Sequence, residues 1–225
     1  MLSIVIPTLD AGRSLGACLA AIMPADELIV VDGGSNDDSI AIARGAGAKL
    51  VQVAAGRGGQ LSAGAAAASG EWLLFLHADT ILAPGWREAV ASHVARHPQT
   101  AGYFVFGLDD RAWQARLIEQ AVAVRGAALR LPYGDQGLLI SRAHYGSVGG
   151  FRPMPLMEDV DLVRRIGRRR LRPLTATALT SADRWRRDGW CRRSLTNLAC
   201  IGLYLLGGSP AWIAYLYRST PEARR

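Results

Sequence analysis

The chain has 225 residues, half of them hydrophobic, which is enough for one sizeable core and usual for a single α/β domain, with no independent second domain expected. Its formal charge of +7 is almost wholly arginine, with Lys49 the lone lysine, and suits a phosphate-bearing ligand, a nucleic acid or an anionic membrane surface. The widely spaced Cys18, Cys191 and Cys200 form no CxxC pair, which argues against a zinc site or a disulfide framework and for a reducing cytoplasm.

The N-terminus reads as a strand and not as a signal peptide, for it lacks a basic leading segment and a cleavage site. Four apolar runs follow one another: Leu2 to Ile6, Glu27 to Val31, Lys49 to Val53 and Trp72 to Leu76. Runs of this length suit strands covered on both faces. Helix-compatible segments separate them at Ser14 to Ile22, Asp37 to Arg44 and Gln60 to Ala68. Such alternation predicts βαβ units and a mostly parallel sheet flanked by helices, with the ligand crevice beyond the carboxyl ends of the strands. The second half is less regular. Ala101 to Leu108 and Gly137 to Ser141 read as strands, and Arg111 to Leu131 and Glu158 to Ile166 as helices. Arginines cluster from Arg164 to Arg172 and from Arg184 to Arg193. Residues 194 to 217 then carry no charge, but Gly207-Gly208-Ser209-Pro210 interrupts them. Two short helices are therefore expected. A pair packed on the domain ranks first, an interfacial membrane anchor second and a membrane span last. The chain thus divides into a domain at 1–193 and an apolar helical segment at 194–225.

Several clusters could carry chemistry. In Asp32-Gly33-Gly34-Ser35-Asn36-Asp37 a strand delivers an acid into a glycine turn, which suits a nucleoside or an ordinary helix cap. In Arg57-Gly58-Gly59-Gln60 a helix start and a guanidinium could hold phosphate. His77-Ala78-Asp79 places two potential metal ligands on one face of a strand exit, where oxygen donors and a diphosphate would suit Mg²⁺ or Mn²⁺. Glu158-Asp159-Val160-Asp161 opens a helix with carboxylates, one of which could be a general base. The bland alternative is favourable placement at the helix dipole. Tyr133-Gly134-Asp135-Gln136-Gly137 could line an acceptor pocket or cap a turn.

Taken in order, Pro7-Thr8-Leu9-Asp10, the Asp32–Asp37 turn, His77-Ala78-Asp79 and Glu158-Asp159 resemble the family 2 glycosyltransferases over roughly residues 2 to 190. Gly56-Arg57-Gly58-Gly59-Gln60 and Leu74-Phe75-Leu76-His77-Ala78-Asp79-Thr80 are similar to one small bacterial subgroup, named for an association with radical-SAM and arsenosugar biosynthesis genes.

The resemblance implies a GT-A fold and an inverting, metal-assisted transfer of a hexosyl unit from a nucleoside-diphosphate sugar, UDP-linked by family expectation, to a hydroxyl acceptor. Pro7, Thr8, Asp10, Asp32, Gly34 and Ser35 would border the nucleoside. Arg57, Gln60 and Ala78 would complete the donor site. Asp79 would hold Mn²⁺ or Mg²⁺, with His77 standing where an acid is usual. Asp159, with Glu158 beside it, would be the base. Asp135 and Gln136 would face the acceptor or donor sugar, Arg184 the diphosphate and Trp185 the acceptor. The apolar tail suits a lipid-like acceptor and peripheral contact with the inner membrane face. Two other classes stand beside this reading. One is a non-catalytic membrane-surface or nucleic-acid-binding protein; nucleic acid is disfavoured because aromatics do not interleave with the arginines. The other is a sugar nucleotidyltransferase, disfavoured by the missing glycine-rich run after the first strand. A nicotinamide enzyme is disfavoured because Pro7–Asp10 replaces the G-x-G-x-x-G turn.

Overall fold

The computed structural model describes residues 1–129 and 132–219. The first half alternates as its apolar runs require: β1 (Leu2–Thr8), α1 (Gly12–Ile22), β2 (Glu27–Asp32), α2 (Ser39–Gly45), β3 (Lys49–Gln52), α3 (Arg57–Ala67) and β4 (Trp72–Phe75). The second half adds β5 (Thr80–Leu82), α4 (Trp86–Arg96), β6 (Ala101–Leu108), α5 (Trp113–Leu129), β7 (Leu138–Ser141), α6 (Arg142–Ser147), α7 (Glu158–Ile166), β8 (Leu171–Thr180), α8 (Asp183–Asp188), α9 (Trp190–Leu205) and α10 (Pro210–Ser219). All strands join one eight-stranded sheet in the order β3-β2-β1-β4-β7-β6-β8-β5. The β1 to β4 half is parallel. β7 runs antiparallel to both β4 and β6, while β8 is parallel to β6.

Alternate residues of the central strands feed two cores. Ile4, Ile6, Val30 and Leu74 face Leu15, Leu19 and Ile22 of α1 and Trp86 of α4. Val5, Ile29, Val31 and Leu73 face Leu61 and Ala65 of α3 together with Leu162 and Ile166 of α7. The approach of α3 is close enough to need glycine: a Cβ on Gly64 would lie 2.3 Å from Val5 Cγ1. That contact holds the body of α3 against Val5 of β1 and Val31 of β2.

The expected strands and helices of the first half are all present. β5, α4, α6 and β8 were not anticipated. In β8 the buried positions Leu171, Leu174, Ala176, Ala178 and Thr180 alternate only after an irregularity, where the pairing with β6 shifts register between Tyr103 and Val105. The helix expected at Arg111 to Leu131 is α5, and residues 130–131 lie outside the described ones, as do 220–225. The uncharged segment forms two helices, broken where glycines and proline required. α9 ends at Leu205, Gly207 is left-handed (φ 92°) and Pro210 opens α10. The pair begins at Trp190, ahead of residue 194. Cys200 and Ile213 of the pair pack against Met157 and Val160. Among the described residues no helix is long and apolar enough to cross a membrane.

Candidate active site

The loops after β1, β2 and β4 and the start of α3 gather at one end of the parallel half-sheet. Much of their polarity is spent on one another. Asp32 ends β2 almost fully buried, and its carboxylate accepts from Gly34 N (2.9 Å), Ser35 N (3.0 Å) and the Ser35 hydroxyl. Asp10, left-handed at φ 49°, accepts from Asn36 N (2.8 Å), and Ser35 Oγ accepts from Asp10 N (3.0 Å). The two loops are therefore laced into one rim. Gln60 is buried and donates from Nε2 to Thr8 O (2.7 Å) and Val31 O (2.8 Å). Both its amide protons hold strand ends, so Gln60, expected to contact the donor, clasps β1 and β2 beneath the loop rim. Thr8 is likewise buried, donating to Val31 O (3.3 Å), and Pro7 is buried within β1.

Arg57, the first residue of α3, crosses the floor. Its Nε donates to Glu158 Oε1 in an ion pair, and its Nη1 lies 3.2 Å from His77 Nε2. The next residue explains how the helix start comes so near: a Cβ on Gly58 would sit 2.2 Å from Arg152 O. Burial weakens the Arg57 charge, yet the carboxylates of Glu158 and Asp159 outweigh it and move the guanidinium further into its charged form. Burial, then the charges of Arg57 and Arg184, hold His77 well below the usual histidine range. His77 is thus neutral, and an Nε2 that accepts from Arg57 leaves the ring proton on Nδ1. Neither nitrogen then offers a lone pair to a cation. His77, expected as a second metal ligand, is here an acceptor for Arg57.

Opposite stands the start of α7. Met157 is left-handed at φ 68°, an uncommon conformation for a long side chain, and it turns Glu158 and Asp159 inward. Glu158 is 1% exposed, and its Oε2 has no hydrogen-bond partner among the described residues. Burial raises its pKa, and the charge of Asp159 adds to the rise. Asp159 accepts from Val160 N (2.7 Å) and lines a cavity walled by Leu61, Phe75, Leu76, Tyr133 and Phe151. Asp135 lies in a short 3-10 turn at Gly134–Gln136, and its Oδ1 is buried without a partner among the described residues. Its pKa is raised to about 6, first by burial and then, against Arg125, by the charge of Asp159; Asp79 adds a smaller push. Gln136, in contrast, is consumed internally: Nε2 donates to Phe104 O (3.1 Å) and Oε1 accepts from Tyr133 N (3.4 Å). Trp185 packs with Phe106, Leu108 and Val122 and is buried, and its Nε1 has no hydrogen-bond partner among the described residues. Arg184 is exposed on α8, near enough to depress His77.

A divalent cation fits a limited role here. No group of three or more His, Cys, Asp or Glu side chains converges among the described residues. Asp79 and the orphaned oxygen of Asp135 offer hard donors within electrostatic reach of each other. That set suits Mg²⁺ or Mn²⁺ held by one or two carboxylates and completed by substrate phosphates, not by a protein cage. Three contributors were not singled out in the sequence. Arg125 stacks 3.7 Å from the Tyr133 ring, Phe151 walls the cavity, and Cys18 sits beneath the His77 carbonyl (3.5 Å). Only Phe151, after Gly149-Gly150, had a signal, an aromatic leaving a tight turn.

A parallel half-sheet thus ends in a laced loop rim, and α3 joins that rim to the carboxylates of α7 at the cavity wall, within one α/β fold. The sequence profile described as Glycosyl transferase family 2 matches residues 3–153, and the chain belongs to that family, with the GT-A fold. Among solved structures it is similar to a mycobacterial protein at 26% identity and TM-score 0.58, over 80% of this chain and 65% of that one. The M. tuberculosis glucosyl-3-phosphoglycerate synthase, seen with Mn²⁺, UDP and glucosyl-3-phosphoglycerate, shares the fold at 21% identity and TM-score 0.56, over 80% of this chain and 70% of the synthase. S. aureus TarS 1-349 in complex with UDP does so at 16% identity and TM-score 0.61, over 80% of this chain and 61% of that one. The chain thus spans less than two thirds of the length of the mycobacterial protein and of TarS.

Proposed function

We propose that this glycosyltransferase moves a hexosyl group from a UDP-sugar to a hydroxyl acceptor with inversion, and that Asp159 is the base. The observation that carries the reading is the link made by α3: Gln60 clasps the strand ends beneath a pre-laced loop rim, and Arg57 of the same helix pairs with Glu158 beside Asp159, on the wall of an apolar cavity. The nucleoside would rest on the rim of Asp10, Asp32, Gly34 and Ser35, over Pro7 and Thr8, with Ala78 beside it. Arg184 would meet the diphosphate directly, and Arg57 would add positive charge from the floor, where charge develops on the leaving group. Asp79, with Asp135 close by, would hold Mn²⁺ or Mg²⁺, which when bound neutralises diphosphate charge. Asp159 would take the acceptor proton as the hydroxyl attacks the anomeric carbon. Glu158, engaged by Arg57, positions that arginine and leaves the base role to its neighbour. The leucine and phenylalanine walls support an acceptor with an apolar portion. The Arg57-Gly58-Gly59-Gln60 and His77-Ala78-Asp79 phrases support membership of the subgroup associated with radical-SAM and arsenosugar genes. We place the protein in the cytoplasm, with residues 1–193 as the catalytic domain and the tail as its appendage.

Calorimetric titration of UDP and GDP, with and without Mn²⁺, tests the donor side. Metal-dependent UDP binding that Asp79→Ala abolishes is the expected result. Binding by a folded Asp79→Ala protein at wild-type strength would remove Asp79 from the metal site.

A further inference from the structure

We infer that the hairpin of α9 and α10 is a docking element that seats this protein on an anionic lipid surface. The inward face of the pair is accounted for, since Cys200 and Ile213 pack on Met157 and Val160. The outward face is not. Leu195 is 65% exposed, Leu206 87%, Trp212 51% and Tyr215 69%, with Leu198 and Leu205 also open. On α9 positions 195, 198 and 205 form one helical stripe, continued by Leu206 just past its end, and on α10 positions 212, 215 and 216 form another. The solvent face of a helix packed on a globular domain is ordinarily charged or polar, but no charged residue occurs between 194 and 217. A contiguous apolar face of this kind marks an interaction surface.

Charge and composition select the occupant. Residues 183 to 193, which lead into the hairpin, carry five arginines against two aspartates. Near its other end Arg164 lies 5.9 Å from the Tyr204 ring, and Arg168, Arg169 and Arg170 follow on an exposed turn. An apolar stripe bearing Trp and Tyr, flanked by arginine, matches the headgroup boundary of an anionic bilayer. A second copy of this chain would bring the same arginines together. Because no described helix can span a membrane, the hairpin lies in the interface plane. Met157 and Val160, its packing partners, bracket Glu158 and Asp159, so docking would hold the cavity close to the lipid. The docking stands on the hairpin alone and does not depend on the transfer chemistry.

The test is flotation of the full chain with phosphatidylcholine vesicles, with and without phosphatidylglycerol, for wild type, Leu206→Glu/Tyr215→Glu and Arg192→Glu. Wild type should float with the anionic vesicles and be released by salt. The double variant should lose about tenfold or more in partitioning, and Arg192→Glu should lose less. The substituted side chains are exposed, so all three proteins should melt alike. Absence of flotation by a folded wild type would overturn the proposal, as would flotation unchanged in the double variant. A dimer in light scattering that the double variant dissolves would also overturn it, assigning the face to a second copy.

Discussion

The two sides of the cleft are built on opposite economies. On the donor side, Asp10, Asp32, Ser35 and Gln60 spend their hydrogen bonds within the protein, lacing loops and strand ends. On the acceptor side, Asp135 Oδ1 and Glu158 Oε2 are buried without partners among the described residues, and Met157 holds a left-handed backbone. A rim whose polar groups are satisfied is rigid before ligand arrives. Unpaired buried carboxylate oxygens and strain persist where the surrounding fold enforces them, and they concentrate at functional sites. Under the proposed function, this difference would assign binding to the preorganised rim and proton and charge transfer to the side built on α7.

The largest stability effect should come from the one ion pair that bridges the two sides. Arg57→Ala strands a Glu158 carboxylate that is 1% exposed, and should destabilise the fold by about 3 kcal/mol. This is the low end for a broken buried pair, because the Arg57 side chain keeps 35% of its exposure. Arg57→Ala/Glu158→Gln should recover much of that loss in denaturant titration. Equal instability of the double and single variants would mean that Arg57 acts through packing. Next comes Gln60→Leu, which conserves approximate volume and leaves the Thr8 and Val31 carbonyls without their amide donor. It should cost about 1–3 kcal/mol and weaken UDP binding through a loosened rim. Full stability with weakened binding would restore Gln60 to the donor-contacting role.

The third effect is a pH slope. The Asp135 pKa rises in the folded protein from 3.8 to about 6, so across that interval the folded state binds the extra proton. Stability contributed by Asp135 is therefore highest below the interval and falls as pH rises through it. Asp135→Asn should flatten this slope and raise stability near neutral pH. Melting curves at stepped pH check this. An unaltered slope would mean that Asp135 is solvated enough to titrate normally.

The donor half was the more legible in sequence because its rule is local. A buried parallel strand is a continuous apolar run, and β1 to β4 each supply one that ends in a polar turn. β8 obeys a period of two, diluted by Arg172, Pro173 and exposed threonines, so it did not stand out from the arginine cluster. α4 carries its inward stripe at Trp86, Ala89, Val90 and His93, and the polar residues between them obscured it. The site shows the same division. Asp79, Asp159 and Arg57 could be named as candidates from motif order alone. The engagement of Arg57 by Glu158 joins residues 101 positions apart and depends on α3 and α7 packing on one face of the sheet. Gln60 and Gln136 were visible as polar residues beside glycine turns, but only the fold shows that their amides are consumed internally. His77 looked like a ligand because it shares a strand exit with Asp79, and the direction of its Nε2 is a tertiary fact.

The most direct test of the central claim is single-turnover transfer from a UDP-sugar by Asp159→Asn, measured beside UDP affinity in the same protein. Near-normal affinity and a rate lower by about 10²–10⁴-fold are expected. An unimpaired rate would contradict the claim, and so would an affinity that collapses together with the rate.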